Sequence, residues 1–177
     1  FVDSEPCGEV AARGVTDGPD EDLDKMSGMI LAALAVASKR VQIVSPYFLP
    51  DDAILGALVT TALRGVEIDI VLPEKNNIPV MDWATESQLP LLLEKGCRIH
   101  RTPAPFDHTK LFLVDGVWAL IGSTNWDARS LRLNFEYNLE CLGEEFGSEL
   151  DEVIQRKIAA ARPVTQEELA NRSKFVQ

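Results

Sequence analysis

Apolar and polar positions follow two different periods along this chain, and the switches between them predict alternating helices and strands. Apolar side chains recur every three or four residues from Leu23 to Ser38, which is typical of a helix that buries one face. Three of the four positions Val41–Val44 are apolar, which indicates that a buried strand follows. By the same reasoning, helices are predicted over 51–63, up to about 95 and over 145–161, and strands over 67–72, 97–100 and 134–142, with a hairpin over 108–121.

Residues that start and stop helices stand at the borders of these segments. Asp51 or Asp52 is placed to cap the second helix, and Gly65 and Gly96 follow the last turns of the second and third. Pro163 ends the last long helix. Strands that alternate with helices predict an α/β fold, in which a mixed, largely parallel central sheet lies between layers of helices.

The composition divides the chain into three segments. Residues 1–24 are rich in acidic residues and glycine and are predicted to form an irregular N-terminal strand or a linker. Residues 25–162 carry the periodic pattern and are predicted to form one domain. Residues 163–177 are predicted to form a tail or a short helix, because Thr165 and Glu168 have the spacing of a capping box.

The hairpin is the segment with the most specific local signal. The Asp-Gly pair at 115–116 separates two apolar runs, which favours a two-residue turn. With that turn, the register predicts that His108 lies opposite Ser123. Asp115 would lie roughly 23 Å from His108, seven residues along a strand that rises about 3.3 Å per residue. Asp115 is therefore interpreted as the residue that sets the turn, not as a proton carrier.

The side chains at the other end of the hairpin suggest phosphate chemistry. His108 and Lys110 are two residues apart, so on a strand they project from one face. A neutral imidazole can attack phosphorus, and an ammonium group can neutralise the charge that builds on the phosphate oxygens. Ser123 and Asn125 could supply hydroxyl and amide donors to the same oxygens. Because one His cannot also protonate the leaving group, this pattern predicts half of a two-histidine site.

The composition narrows the classes of substrate and cofactor. The chain has 177 residues, 46% of them hydrophobic, and a formal net charge of −11, which disfavours a nucleic-acid partner because such partners are bound by clustered Lys and Arg. The three Cys have no metal-ligand spacing and the Gly residues form no nucleotide-binding fingerprint, so no metal and no cofactor are predicted. No apolar run reaches the roughly 18 residues of a membrane helix, so we expect the chain to be soluble as given.

These residues also resemble a known family. The pattern His-x-Lys-x4-Asp-x6-Gly-Ser-x-Asn over 108–125 is similar to the signature of the phospholipase D superfamily. The run 126–138 resembles the extension found in bacterial cardiolipin synthases, and the segments 45–51 and 64–66 resemble the same branch. The resemblance spans about residues 25–142. It implies a phospholipase D-like fold and an enzyme that transfers a phosphatidyl group.

The resemblance further implies roles for individual residues. It places His108, Lys110 and Asp115 in the catalytic motif, and it implies that Glu136 in Asn134-Phe135-Glu136 hydrogen-bonds the catalytic His. Arg129 and Ser130 would either bind a phosphate or cap the turn at Asp127; these two alternatives stay open. The other His, His100, is interpreted as structural or solvated.

The whole reaction follows from the same resemblance. It implies that cardiolipin is made from phosphatidylglycerol through a phosphohistidine intermediate, at the cytoplasmic face of the bacterial inner membrane. The second His would come from an N-terminal half of a longer protein, since the chain starts at Phe1, or from a second copy of the chain. The alternatives are a phosphodiesterase of the phospholipase D type, a homodimeric nuclease and a non-catalytic scaffold domain.

Overall fold

The computed structural model describes residues 8–20 and 23–173, which form a central sheet with helices on both faces. The strands are β1 (Ala11–Asp17), β2 (Arg40–Val44), β3 (Phe48–Leu49), β4 (Glu67–Pro73), β5 (Arg98–Thr102), β6 (Leu111–Val114), β7 (Trp118–Gly122), β8 (Trp126–Asp127), β9 (Glu136–Leu142) and β10 (Arg162–Pro163). The helices are α1 (Lys25–Val36), α2 (Asp52–Leu63), α3 (Pro79–Glu94), α4 (Ala128–Arg132), α5 (Glu144–Ala160) and α6 (Gln166–Ser173).

The main sheet has eight strands in the order β1-β9-β7-β6-β2-β4-β5-β10. The α/β class and the mixed sheet are confirmed, but the expectation of a largely parallel sheet is wrong. Among the described strands of this sheet, only β2–β4 and β4–β5 pair in parallel, and the other five neighbouring pairs are antiparallel. The reason is that helical crossovers, which parallel neighbours require, join only β2, β4 and β5.

Two apolar layers hold the helices to the sheet. On one face, α1, α2 and α3 bury residues such as Ile30, Ile54 and Leu89 against the sheet. On the other face, α5 packs Leu150 and Ile154 against β2, β4, β6 and β7. Val41 and Ile43 of β2 belong to the first layer and Val44 to the second, which explains why this strand is buried on both faces. No helix among the described residues has both the length and the apolar character needed to cross a membrane.

The two terminal segments add one strand and one helix. Residues 11–17 form β1, which lies at the edge of the sheet and pairs with β9 from Ala11 opposite Leu142 to Asp17 opposite Glu136. Most of β1 is exposed, so its sequence has little apolar periodicity that could signal a strand. Residues 166–173 form α6. The hydroxyl of Thr165, which precedes this helix, accepts the capping-box hydrogen bond from the Glu168 N–H. Residues 1–7, 21–22 and 174–177 lie outside the described residues.

The hairpin between β6 and β7 forms at the expected place but with a different register. Asp115 and Gly116 adopt φ angles of 53° and 71°, and the Val117 N–H donates to the Val114 carbonyl at 3.1 Å, as in a two-residue turn. Val117 is nevertheless an extra residue, because Val114 pairs with Trp118. Its carbonyl accepts a hydrogen bond of 3.0 Å from the backbone that leads into α5. The predicted register is therefore wrong by one residue, and the extra residue is bonded to a part of the chain outside the hairpin.

Candidate active site

His108 and Lys110 come together just before β6. Both lie in the irregular segment between β5 and β6, not on a strand as the spacing predicted. The Lys110 Nζ atom lies 3.1 Å from Nδ1 and 3.2 Å from Nε2 of His108, and it donates to the His108 carbonyl at 2.8 Å. An ammonium group and an imidazole therefore share one small region of the surface, which is what binding and attack on a phosphate require.

Aromatic rings border the imidazole. The centroid of the His108 ring lies 5.9 Å from that of Tyr47, edge to face, and 6.0 Å from that of Phe106. Tyr47 follows β2, and its hydroxyl donates to Asn77 Oδ1 at 2.7 Å in the loop after β4. The site thus lies beyond the carboxyl ends of the parallel strands, where α/β folds commonly place ligands.

Burial and nearby charges set the pKa values of the two central groups. Burial and the ammonium of Lys110 lower the pKa of His108, and the carboxylate of Asp107 opposes them. Burial likewise lowers the pKa of Lys110, against the carboxylates of Glu136, Asp107 and Asp127. A lowered pKa favours the neutral imidazole, the form that can act as a nucleophile.

Glu136 belongs to a hydrogen-bonded network beside this pair. Its Oε1 atom accepts hydrogen bonds from Ser130 Oγ at 2.6 Å and from Asn134 Nδ2 at 3.2 Å. The Ser130 hydroxyl also accepts from the Asn125 N–H at 2.8 Å. Among the described residues, no hydrogen bond joins Glu136 to His108, whose ring contacts Lys110 instead. Glu136 therefore affects the site through the charge that it places near Lys110. The hydrogen bond between Glu136 and His108 stays a prediction.

The turn at Asp127 forms the expected cap, and phosphate binding by Arg129 stays a prediction. Asp127 Oδ1 accepts from the N–H groups of Arg129 at 2.9 Å and Ser130 at 3.2 Å, so it caps α4. Burial raises the pKa of Asp127, and the nearby carboxylate of Glu136 adds to this effect against the two N–H donors. Ser130 thereby connects the helix cap to Glu136.

Ser123 and Asn125, the other expected phosphate ligands, take different positions. Ser123 Oγ accepts from the Tyr137 N–H at 2.9 Å and donates to the Tyr137 carbonyl at 3.3 Å, and in the described part of the chain it makes no hydrogen bond to His108 or Lys110. The prediction that Ser123 faces His108 is thus wrong, because of the one-residue shift in the hairpin. Asn125 Oδ1 is buried and has no hydrogen-bond partner in the described part of the chain.

Two polar residues beside the Lys110 ammonium, Thr124 and Asn138, were not assigned to the site by sequence reasoning. Lys110 shares a small cavity with Gly122, Thr124 and Asn138. Asn138 Nδ2 donates to Thr124 Oγ1 at 2.7 Å. Asn138 is two residues after Glu136 on β9 and buried on the same face, so strand periodicity would have identified it once Glu136 was chosen.

Asp115 is not brought to the site. Its carboxylate accepts hydrogen bonds from the Ser38 N–H (2.9 Å) and hydroxyl (2.8 Å), the Lys39 N–H (2.7 Å) and the Arg40 N–H (2.9 Å). Burial raises the pKa of Asp115, but these donors outweigh it and hold the pKa below its ordinary value. The placement of Asp115 among the catalytic residues is therefore corrected: it joins the hairpin turn to the start of β2.

His100, the other His of this chain, forms a hydrogen bond outside the site. His100 Nε2 lies 2.8 Å from Asp69 Oδ1, in a cluster where Asp69 also accepts from Arg98 and Arg40. Burial raises the pKa of Asp69, but the hydrogen bonds from His100 and the two Arg hold it well below its ordinary value. Across residues 8–20 and 23–173, no group of three His, Cys, Asp or Glu side chains is arranged to hold a metal ion.

Comparison with known proteins gives a consistent family. The family model described as "Cardiolipin synthase, PLD-like domain" matches residues 30–158. Cardiolipin synthase 2 of Staphylococcus epidermidis is 32% identical over 177 residues, which cover 100% of this chain and 36% of that protein. Cardiolipin synthase A of Serratia proteamaculans is 40% identical over 136 residues, which cover 77% of this chain and 28% of that protein. The chain thus spans about a third of the length of these curated relatives.

Solved structures share the fold. The phospholipase D family member Nuc from Salmonella typhimurium matches with a TM-score of 0.74 and 20% identity, over 88% of this chain and 99% of that chain. The phosphatidylserine synthase of Haemophilus influenzae matches with a TM-score of 0.71 and 17% identity, over 88% of this chain and 40% of that chain. At these identities the likeness concerns the fold alone.

Proposed function

This chain belongs to the PLD-like domain family of cardiolipin synthases, and from that membership we propose that it is the C-terminal motif-bearing half of a phosphatidyltransferase that makes cardiolipin from phosphatidylglycerol. The observation that supports the proposal most is the ammonium of Lys110, held 3.1 Å from the imidazole of His108 beside the Glu136 network. The curated relatives, of which this chain covers about a third, leave room for a first motif-bearing half.

The reaction proceeds in two displacements. A neutral imidazole attacks the phosphorus of one phosphatidylglycerol, a P–N bond forms, and the P–O bond to the departing glycerol breaks. The second imidazole, from the other motif, gives its proton to the departing oxygen and then takes a proton from the hydroxyl of a second phosphatidylglycerol. That oxygen attacks the phosphohistidine, the P–N bond breaks, and cardiolipin leaves. The lowered pKa of His108 supports the role of nucleophile for this residue.

Side chains around the imidazole would stabilise the charge of the transition state. Lys110 is placed to neutralise the non-bridging phosphate oxygens. Asn125 would contribute its side-chain amide, and Ser123 would act at the rim after a shift away from Tyr137. Glu136 would orient His108 once the two halves meet. The substrate would be drawn from the cytoplasmic face of the bacterial inner membrane.

Substitution in the full-length protein tests this function. We expect His108→Ala to lower the conversion of phosphatidylglycerol to cardiolipin by roughly 1,000-fold or more, as the loss of a nucleophile does in other enzymes. His100→Gln is the matched control, because it removes the other imidazole, which contacts Asp69 and not the reacting pair. Unchanged turnover in His108→Ala, measured in detergent–lipid micelles, would refute the catalytic role and favour a scaffold.

The structural match with Nuc supports a second candidate, in which two copies of this chain form one site. Nuc is matched over 99% of its length, so a chain of this size suffices for that fold. Sedimentation equilibrium of the 19.5 kDa chain distinguishes the two cases. A stable dimer that cuts plasmid DNA without added metal would favour a homodimeric nuclease, whereas a monomer without such activity would favour the two-half enzyme. The net charge of −11 opposes the nuclease.

A further inference from the structure

We propose that an ion pair between Asp107 and Lys157 positions His108 for the reaction. Asp107 directly precedes His108, and Lys157 lies in the last turns of α5, 50 residues further along the chain. The inference rests on the proposed function, since it assigns a task to a contact that the reaction itself does not use. Neither residue belongs to the sequence pattern that identified the site.

The carboxylate of Asp107 holds the backbone on both sides of the imidazole. Its Oδ1 atom accepts hydrogen bonds from the Thr109 N–H at 3.0 Å and from the Thr109 hydroxyl. Its Oδ2 atom accepts a hydrogen bond from the Lys157 ammonium, which also lies 3.5 Å from Thr109 Oγ1. His108 therefore stands between two residues that share one set of polar contacts.

This segment needs an external support because it has no strand partner. Residues 103–110 form neither helix nor strand, so no ladder of backbone hydrogen bonds fixes the position of His108. Helix α5 can supply the support, because Ile154 is fully buried against the sheet and Lys157 follows it by three residues on the same face. The side chains of Lys157 and Asp107 are 22% and 27% exposed, so water screens their attraction less than that of a surface pair.

The pair also acts on the charge of the imidazole. The charged groups that face His108 are Lys110, which lowers its pKa, and Asp107, which raises it. The carboxylates of Glu136 and Asp127 raise the pKa of Lys110, and the rings of Tyr47 and Phe106 lie next to the imidazole. Burial raises the pKa of Asp107, but the hydrogen bonds from Lys157 and Thr109 outweigh it and hold the pKa below its ordinary value.

Position and charge can be separated by two variants. Asp107→Asn removes the negative charge and weakens the tether, whereas Lys157→Gln removes the tether and leaves the negative charge. Both should lower kcat of the full-length enzyme roughly 10- to 100-fold with KM nearly unchanged, because a shift of about 1 Å in a reacting group has effects of this size. Lys157→Arg should retain most of the activity. Arg156→Gln is the control, since it removes an exposed cation of α5 that pairs with Glu152 at 3.8 Å.

The protonation of His108 supplies a readout that does not depend on activity. The chain contains only two His, so an NMR titration resolves both imidazoles, with His100 as the internal reference. We expect Asp107→Asn to lower the pKa of His108, and neither Lys157→Gln nor Arg156→Gln to lower it. If Asp107 and Lys157 act together as one pair, the double variant should lose no more activity than the more impaired single variant.

Two outcomes would overturn the proposal. The positioning role fails if Lys157→Gln is as active as Arg156→Gln, and the effect on charge fails if the pKa of His108 is the same in Asp107→Asn and the parent. Urea unfolding of each variant identifies any general loss of fold, and in that case the comparison of Lys157→Arg with Lys157→Gln decides. If His108→Ala keeps full activity, the proposed function fails instead, and the titration still reports on the pair.

Discussion

Asp115 offers the sharpest separation between a structural and a catalytic role. It is part of the motif that includes His108, yet its carboxylate accepts four hydrogen bonds from Ser38, Lys39 and Arg40 at the start of β2. We therefore expect Asp115→Ala to destabilise the domain and to leave the chemistry of the folded enzyme largely intact. Asp115→Asn is the matched variant, because Asn also tolerates the φ of 53° at this position.

The size of the effect follows from the contacts. A hydrogen bond to a charged group contributes about 1.5 to 3 kcal/mol. The four bonds do not add, since they share one carboxylate, and the exposed donors of Ser38 and Lys39 become hydrated when it is lost, so we expect about 2 to 3 kcal/mol from them. Alanine in the left-handed region adds about 1 kcal/mol. The free energy of unfolding should thus fall by about 3 to 4 kcal/mol in Asp115→Ala and by about 1 to 2 kcal/mol in Asp115→Asn.

Urea unfolding of this chain, followed by circular dichroism, measures these differences. The pKa of folded Asp115 lies below that of the unfolded chain, so its contribution is fully present above about pH 4 and is lost as the pH falls through the folded value. The gap between the parent and Asp115→Asn should therefore narrow in acid. Unchanged stability in Asp115→Ala, together with a loss of kcat well below the unfolding temperature, would refute the structural role and return Asp115 to the site.

Four further substitutions test the site, the packing and the buried charge. Lys110→Met in the full-length protein should lower kcat roughly 100-fold or more, and an NMR titration should show a higher pKa for His108, because the ammonium now lowers it. Gly122→Ala should lower the free energy of unfolding by about 2 to 3 kcal/mol, since its Cβ would lie 2.5 Å from a β9 carbonyl. Gly56→Ala, in α2 with nothing within 4 Å, should raise it by about 0.5 to 1 kcal/mol in the same urea assay. Asp69→Asn should remove stability that the parent has above about pH 4 and loses as the pH falls through the lowered pKa of the folded state, so equal slopes of stability against pH for variant and parent would contradict this account.

The site in the folded structure differs from the predicted site at specific residues. Side chains two residues apart project from the same side of an extended segment, and Lys110 accordingly contacts His108 although the segment is not a strand. The facing partner was wrong, because the extra residue Val117 shifts the register by one and Ser123 pairs with β9 instead. The extra residue accepts a backbone hydrogen bond from Gly143, at the segment that leads into α5, and this partner is not part of the hairpin sequence.

The local sequence pattern was sufficient to predict most of the helices and strands, the α/β class and a group of residues around one His that is suited to phosphate chemistry. These properties depend on periodicity, caps and turns, which involve neighbours within a few residues. The direction of most strands, the edge strand β1, the tether from Lys157 to Asp107 and the commitment of His100 to Asp69 became visible only in the folded chain. The contacts of β1 with β9, of Lys157 with Asp107 and of His100 with Asp69 join residues that are 30 or more positions apart. Packing selects such contacts by shape and charge across the whole domain, and a short stretch of sequence contains only one side of each.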